Sequence, residues 1–211
     1  GIGLSDKEHN YFLDSKYIID LPKILKEKIV YTYHAKAIDV ILMRKQLELI
    51  PINYDLMIAS YLLKGFTKDD IAYLMHPEGI NVLFYEDAKK NHFSDFEKLK
   101  KDVVLKSRFI YDTRDEYVNG LKTESMYELF KDIEMPLISV LADMEYFGVK
   151  VDSKVLDEIK EEAEAKLNIL SQEIYRMAGV EFNIGSPKQL GEVLFVKLGL
   201  QSGKKNQTGY K

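Results

Sequence analysis

The chain has 211 residues, no cysteine and a formal net charge of −4. The lack of cysteine excludes a disulfide framework and a thiolate metal site. The acidic balance argues against a surface that is basic throughout, so any nucleic-acid contact is expected to be local. No apolar run approaches the roughly 20 residues of a transmembrane helix, and no secretion signal is recognisable near residue 1. We therefore expect a cytoplasmic protein with no membrane partner.

Extended and helical patterns alternate over the first 92 residues, which indicates an α/β domain. Because the chain enters on a strand pattern without an initiating methionine, we expect it to be a piece of a longer polypeptide. The predicted elements are a β-hairpin of Gly1–Ser5 and Tyr11–Leu13, a strand over Ile29–Tyr33, a helix over Ala35–Leu47, a strand over Leu49–Ile52, helices over Tyr54–Leu63 and Thr67–Met75, and a turn at His76–Gly79.

The pattern becomes almost entirely helical after Phe93, and Gly120 is predicted to end this first helical stretch. Ser125 and Glu128 then have the spacing of a capping box, in which each side chain accepts a free backbone N–H of the first turn. A second helix is therefore predicted to begin there.

Pro136 lies inside the apolar pattern of this second helix and removes one backbone hydrogen bond. A kink or restart is therefore expected over Asp132–Met135. Gly148 is expected to end the helix, because glycine readily adopts the left-handed conformation that closes a helix.

A long amphipathic helix is predicted next, capped by Asp152 or Ser153 and ended by Gly179. We expect it to be the longest helix in the chain, about 40 Å at 1.5 Å per residue. Too few elements follow to cover it, so part of its apolar stripe is expected to pack against a helix outside this chain. The stripe consists of Leu156, Ile159, Ala163, Leu167, Leu170, Ile174 and Met177.

The last segment combines a helix start with local positive charge. Ser186 as the cap, Pro187 in the first turn and Gln189 as the partner in a capping box together predict a helix start. From Pro187 onward the chain has five lysines and one glutamate, although the whole chain is acidic. Cations and free backbone N–H groups are the features that bind the phosphates of duplex DNA.

Six stretches of the second half share their order and spacing with a known family: Ile133–Leu137, Met144–Asp152, Ala178–Asn183, Ser186–Leu190, Leu194–Phe195 and Gln207–Tyr210. Together they resemble the segment that enters the thumb of family A DNA polymerases of the DNA polymerase I type. A further stretch, Tyr54–Leu63, resembles a helix of the exonuclease-like domain in the same family. The resemblance therefore covers nearly the whole chain.

The resemblance implies an α/β fold of the ribonuclease H-like 3′–5′ exonuclease type, with a mixed sheet, helices and the first strand missing, followed by an all-α thumb segment. It implies a degenerate exonuclease-like domain over residues 1–122. Residues 123–211 would then be the connecting helix and thumb helices at the start of the polymerase domain.

The implied parent is a DNA-directed DNA polymerase, a nucleotidyltransferase of DNA replication and repair in the bacterial nucleoid. Its expected partners are a primer–template DNA duplex and the palm and fingers of the same chain. Mg²⁺ is the cofactor expected for the parent, and no cofactor is expected on this segment. Without palm and fingers the segment is expected to be inactive as a polymerase.

A working exonuclease of this family resembles a two-metal phosphodiesterase, in which carboxylates hold two divalent ions. The first pair of carboxylates would precede Gly1. Counting between the resembling stretches, with a gap of one to three residues possible at the third motif, places the second and third motifs on side chains that are not carboxylates: His34, Ile38, Lys101 and Leu105. No metal site is therefore expected.

Asp39 and Asp102 each lie one residue from a degenerate position. A step of one residue turns a helical side chain by about 100°, away from the expected cluster. We expect both aspartates on solvated helix faces.

The resemblance also implies a set of residues that contact the duplex: Asn183, Ser186, Lys188, Gln189, Lys204, Lys205 and Thr208. Asn183 and Ser186 match thumb positions that contact primer–template, and Lys204 and Lys205 lie where the thumb tip follows the minor groove. Turn-and-cap chemistry alone is the alternative for Asn183 and Ser186, and the two roles are compatible. For the lysine pair the alternative is an ordinary solvated loop.

Two other functions remain open from the sequence. The first is a non-enzymatic helical module that binds another protein through the apolar stripe and has no DNA role. The second is an active 3′–5′ exonuclease whose first strand lies outside the chain, which Ile38 argues against. Salt-sensitive binding to a primer–template duplex would distinguish the helical module from the polymerase segment.

Overall fold

The computed structural model describes residues 1–65, 68–91 and 93–201, together with the backbone of residues 205–206 and 209–210. The chain divides into two compact units, Gly1–Gly148 and Val149–Lys211. The domain boundary predicted after residue 122 was inferred from the resemblance. It refers to the domains of the family and not to these two compact units, so it stays a prediction.

The described strands of the first unit form two separate pairs. β1 (Ile2–Ser5) and β2 (Asn10–Leu13) form the predicted antiparallel hairpin. β3 (Val30–Thr32) and β4 (Ile52–Asp55) are parallel, as is usual for strands that are connected through a helix. Residues of β1 and β3 line an apolar cavity of about 790 Å³. One antiparallel and one parallel pair agree with the mixed strand arrangement that the resemblance implies.

Helices account for most of the rest of the first unit. The described α-helices are α1 (Leu21–Leu25), α2 (Ala35–Arg44), α3 (Leu56–Lys64), α4 (Ala72–Met75), α5 (Tyr85–Lys90), α6 (Phe96–Thr123), α7 (Tyr127–Leu129) and α8 (Met135–Phe147). Two 3₁₀ segments, Ser15–Asp20 and His76–Glu78, and a π-helical turn, Phe130–Glu134, lie between them. Thr67, the predicted start of a helix, lies outside the described residues.

The helix start predicted at Tyr54 is wrong, and the strand predicted over Leu49–Ile52 lies three residues later, at Ile52–Asp55. Tyr54 and Asp55 belong to β4, which pairs with β3, and α3 begins one residue later. The carboxylate of Asp55 accepts the backbone N–H of Met57 at 2.8 Å. Asp55 is therefore the N-cap that separates the strand from the helix.

Gly120 does not end a helix, contrary to the prediction. α6 continues through it to Thr123. A β-carbon at position 120 would lie 3.0 Å from Cδ1 of Leu63, so the glycine makes room for a side chain of the neighbouring helix α3. The glycine at position 120 therefore serves the packing of α3 on α6 and is not a stop signal for the helix.

Ser125 is not the N-cap of the second helix, so the predicted capping box is wrong. Its φ is 57°, in the left-handed region, and its backbone N–H donates to the carbonyl of Lys122 at 3.1 Å. The N–H of Met126 donates to the carbonyl of Leu121 at 2.8 Å. These two bonds form a Schellman motif, so Ser125 closes α6 instead of opening the next helix.

The predicted restart at Pro136 is confirmed. The π-helical turn ends at Glu134, and α8 begins at Met135 with the proline in its first turn, where a missing N–H costs no helical bond. Gly148 ends α8 with φ 68°, and its N–H donates to the carbonyl of Met144 at 2.9 Å.

The core of the first unit consists of two clusters of buried apolar side chains. The larger cluster joins α3, α4 and α6 through residues such as Leu56, Met75 and Leu121. The smaller one is built from Leu21, Leu42 and Ile50, and the side chains of the hairpin pack against it. The long helix α6 is the element that contacts both the hairpin and α3.

The second unit contains two helices among its described residues. α9 (Ser153–Ala178) is followed by α10 (Pro187–Gly191), which continues into a π-helical turn over Glu192–Lys197. Backbone pairing joins two short strands, β5 (Lys205–Asn206) and β6 (Gly209–Tyr210).

The predicted limits of α9 are confirmed. The Asp152 carboxylate accepts the N–H of Lys154 at 3.0 Å, and Gly179 follows the helix with φ 64°. The Lys197 ammonium donates to the carbonyl of Gly179 at 2.8 Å, which satisfies a free acceptor at the helix end. The prediction that α9 is the longest helix is wrong, because α6 has 28 residues and α9 has 26.

The apolar stripe of α9 is largely uncovered. Five of its members are more than half exposed: Leu156, Ile159, Leu167, Leu170 and Met177. The expected partner helix outside the chain stays a prediction. None of the described helices is both long and apolar enough to cross a membrane.

Candidate functional site

The turn that precedes α10 is held by a compact hydrogen-bond network. The Oδ1 atom of Asn183 accepts the N–H of Gly185 at 3.0 Å, and the carbonyl of Asn183 accepts the N–H of Ser186 at 2.9 Å. Ser186 Oγ accepts the N–H of Gln189 at 3.4 Å, which confirms Ser186 as the N-cap.

The predicted capping box is only half formed. The Oε1 atom of Gln189 accepts the N–H of Asn183 at 2.8 Å instead of the N–H of Ser186. Ser186 has already donated its N–H to the carbonyl of Asn183, so Gln189 reaches one turn further back. Sequence spacing cannot distinguish these two partners.

The network leaves donors facing solvent. Asn183, Lys188 and Gln189 are exposed, and Ser186 is half-buried. Both side-chain amides use their oxygen within the turn, while no hydrogen bond of the described residues uses their NH₂ groups. An amide NH₂ and a lysine ammonium are both donors that suit phosphate oxygens. The arrangement can therefore offer donors to a polyanion without breaking the turn.

The other predicted contact residues lie at the end of the chain. Lys204 and Thr208 are outside the described residues, and Lys205 is described only by its backbone in β5. Their predicted roles stay predictions. Lys197, counted among the local cations, uses its ammonium to close the end of α9.

The degenerate exonuclease positions lie on α6 and at or near the start of α2. His34 is the left-handed residue (φ 65°) before α2, and its N–H donates to Asp55 at 3.1 Å. Ile38 packs against the smaller core cluster. Lys101 and Leu105 are both exposed on α6. These four side chains provide no carboxylate and do not fit a two-metal site.

The described residues contain no group of three or more histidine, aspartate or glutamate side chains that could hold a metal ion. The prediction of no metal site stays a prediction for the chain as a whole.

The expectation that Asp39 and Asp102 lie on solvated helix faces is wrong. Asp102 is only 4% exposed, and it accepts the N–H of Leu83 at 2.9 Å and the ammonium of Lys98 at 3.3 Å. Asp39 is 6% exposed, and its Oδ1 has no hydrogen-bond partner among the described residues. Burial, together with repulsion from Asp143, raises the pKa of Asp39 to about 6.

The helical spacing of Asp39 was compatible with burial as well as with exposure. Asp39 lies four residues after Ala35 and three before Leu42, both of which are almost fully buried on the same helix. A charged residue within an apolar stripe indicates a buried charge as readily as a solvated one.

Sequence reasoning missed Asp70, which lines a cleft of about 610 Å³. Its carboxylate accepts the N–H of Ala72 at 3.0 Å, the N–H of Tyr85 at 2.6 Å and the ammonium of Lys106 at 2.9 Å. Burial alone would raise the pKa of Asp70, but these three donors outweigh burial and lower it. The carboxylate and the ammonium of Lys106 neutralise each other, so Asp70 is not a free carboxylate in this cleft.

Two family models match the chain in succession. The model described as "DNA polymerase I, ribonuclease H-like domain" matches residues 1–113, and the model described as "DNA polymerase family A" matches residues 153–211. The first match covers the two strand pairs of the first unit and most of α6. The second covers α9 and the turn before α10.

Curated relatives extend the similarity over the whole chain. DNA polymerase I of Bacillus caldotenax is 34% identical over all of this chain and 25% of its own length. DNA polymerase I of Helicobacter pylori is 43% identical over 67% of this chain and 17% of its own length. The chain thus spans about a quarter of the length of the relatives that it matches throughout.

A solved structure shares the fold at low sequence identity. It is the POL domain of Pol1 from M. smegmatis in complex with DNA primer-template and dNTP. The match has a TM-score of 0.64 and 23% identity, and it covers 95% of this chain and 33% of that one. The succession of the two family models agrees with this common fold, and we conclude that the chain belongs to the family A DNA polymerases of the DNA polymerase I type.

Proposed function

We propose that the chain is a scaffold and duplex-gripping segment within a DNA-directed DNA polymerase of bacterial DNA replication and repair. The observation that carries this proposal is the alignment of the whole chain with one continuous quarter of DNA polymerase I. The parent would transfer nucleotides to a primer end in the nucleoid, using Mg²⁺ held by residues outside this segment.

The first unit would serve as a non-catalytic scaffold. Hydrolysis of phosphodiesters by two metal ions depends on carboxylates that converge on one point. No carboxylate is present at the four degenerate positions, which are His34, Ile38, Lys101 and Leu105. The Asp102 carboxylate accepts hydrogen bonds from the backbone N–H of Leu83 and from the ammonium of Lys98. The carboxylate of Asp70 is already paired with Lys106. These features support an exonuclease-like domain without activity.

The turn before α10 would bind the backbone of the primer–template duplex. The NH₂ groups of Asn183 and Gln189, the hydroxyl of Ser186 and the ammonium of Lys188 are donors on one short segment. Contacts from such donors to phosphates position a duplex without reading its sequence. Lys204, Lys205 and Thr208 would extend this contact.

Binding can be tested with the full 211-residue chain and a labelled primer–template duplex over a range of salt concentrations. Each phosphate contact contributes about −0.9 to the slope of log K against log salt. Lys188→Ala should therefore reduce the magnitude of the slope by about 0.9. Lys160→Ala, an exposed lysine on α9, is the matched control and should leave the slope unchanged. Equal slopes for both variants would contradict the proposed contact.

Activity assays test the assignment of roles. The chain alone should neither incorporate nucleotides on a primed template nor trim single-stranded DNA with Mg²⁺ or Mn²⁺. Incorporation would overturn the division between scaffold and catalytic parts. Metal-dependent trimming would show that the exonuclease-like domain is active.

A helical interaction module is a second candidate, favoured by the exposed stripe of α9. Leu156, Ile159 and Leu167 are each more than half exposed, and a stripe of this length suits an amphipathic partner helix. On this reading the chain would bind no duplex at any salt concentration. Salt-sensitive duplex binding would exclude a module without a DNA role.

A further inference from the structure

Asp39 lies on α2, the helix that packs against α8. Only 6% of the residue is exposed, and its Oδ1 atom is buried without a hydrogen-bond partner among the described residues. An ionised carboxylate in such a place loses the hydration of its Oδ1 atom and gains no donor there in return. The packing of these helices therefore favours the neutral form of Asp39.

The charges around this contact do not compensate the carboxylate. Asp143 on α8 carries the same sign and raises the pKa of Asp39 further, after burial, to about 6. Lys36 is the nearest cation along α2, but its ammonium is 2.8 Å from Glu145 Oε2 on α8. Arg44 and His34, at the two ends of α2, also act on Glu145 and lower its pKa after Lys36.

The other buried aspartates of the described residues accept hydrogen bonds from nearby donors. Asp55 receives three backbone N–H groups, from His34, Ala35 and Met57. Asp102 receives a backbone N–H and a lysine ammonium. Asp39 has neither kind of donor at Oδ1, so the feature is specific to the contact between α2 and α8.

We propose that the contact between α2 and α8 is a proton-controlled latch, closed while the Asp39 carboxyl is neutral and loosened once it is ionised. In the closed state the neutral carboxyl is buried at little electrostatic cost. After ionisation the carboxylate gains hydration when the helices separate locally. α8 ends at Gly148, the last residue of the first unit, so the latch controls the helix that leads directly into Val149.

The latch predicts a pH dependence that is local to α8. Amide hydrogen exchange of the full chain would be followed from about pH 5 to about pH 8 and corrected for intrinsic exchange rates. The opening constant of α8 should rise by about tenfold over this range, because about half of the total change that a shift from 3.8 to about 6 allows is already complete below pH 5. In Asp39→Asn, which is neutral at every pH, the opening constant should not change with pH.

Asp102→Asn is the matched control, since Asp102 is similarly buried but lies on α6 and has hydrogen-bond partners. It should keep the pH dependence of α8 that the wild type shows. The proposal is overturned if the wild type shows no pH dependence in α8, or if Asp39→Asn shows the same dependence as the wild type.

Asp143→Asn gives a second measurement that does not alter the buried group. It removes the like charge but not the burial, so the pKa of Asp39, followed by carboxyl ¹³C chemical shifts, should fall while staying above the ordinary range for aspartate. A wild-type pKa within the ordinary range for aspartate, or a pKa that does not respond to Asp143→Asn, would also overturn the latch.

Discussion

The carboxylate of Asp55 accepts the backbone N–H of Ala35 at 2.5 Å, which connects the end of β4 to the first turn of α2. The same carboxylate accepts the N–H groups of His34 and Met57. One buried side chain therefore caps two helices, α2 and α3, that follow neighbouring parallel strands. Burial raises the pKa of Asp55, while the three N–H groups act in the opposite direction.

Asp55→Ala should destabilise the first unit by roughly 3–5 kcal/mol, because it leaves three backbone donors without an acceptor in a buried position. The free energy of unfolding from urea titration measures this loss. Asp152→Ala removes a cap with one bond on an exposed helix start and should cost only about 1 kcal/mol. Equal losses for the two variants would show that Asp55 does not cap both helices.

Asp39→Asn should stabilise the chain at neutral pH. The folded pKa of about 6 lies above the ordinary 3.8, so the stability associated with the neutral carboxyl is fully present below about pH 4 and is lost as the pH rises through about 6. Two pKa units correspond to about 3 kcal/mol, which is the upper limit of the gain at pH 7.5.

Urea titrations of wild type and Asp39→Asn at about pH 4 and about pH 7.5 measure this difference. The two proteins should be close in stability at the lower pH and separate at the higher one. A variant that is less stable than the wild type at both pH values would contradict the argument.

Gly120→Val should destabilise the packing of α6 on α3 by roughly 1–3 kcal/mol, because the added atoms meet Cδ1 of Leu63. Gly120→Ala should be closer to neutral, since the gain in helix propensity of about 1 kcal/mol offsets the contact. Combining Gly120→Val with Leu63→Ala should recover part of the loss, measured as a coupling energy in a double-mutant cycle. Strict additivity would show that the two positions do not contact each other.

Asn183→Asp should preserve the turn and weaken duplex binding. The substitution keeps an oxygen for the N–H of Gly185, but it replaces the exposed NH₂ donor with a negative charge that repels phosphates. Fluorescence anisotropy with a labelled primer–template should show a loss of about fivefold or more in affinity, which is about 1 kcal/mol.

Asn168→Asp, the same substitution at an exposed site on α9, changes the net charge equally and is the matched control. Its affinity should change by less than about twofold, since long-range charge effects are screened by salt. Similar losses in both variants would mean that net charge, and not a contact at Asn183, causes the effect.

The candidate contact site could be located from the sequence only in part. Ser186 was identified as a cap because serine followed by proline has a local meaning that needs no other part of the chain. The partner of Gln189 depends on the path of the chain from Asn183, which the spacing of residues does not encode. The roles of the lysines near residue 204 stay predictions.

The sequence by itself determined the features that depend on neighbouring residues: the hairpin of β1 and β2, the restart at Pro136, a cap of α9 at Asp152 or Ser153, and the glycine ends of α8 and α9. Each follows from hydrogen-bond geometry or backbone conformation within a few residues.

Tertiary structure alone decided the features that depend on distant contacts. Gly120 lies within α6, where its missing side chain makes room for Leu63, and Tyr54 is in a strand because β3 pairs with β4. Asp39 and Asp102 are buried because other elements cover their faces of α2 and α6. Burial is a property of what packs against a residue, so a charge on a helix cannot be assigned to solvent from its own spacing.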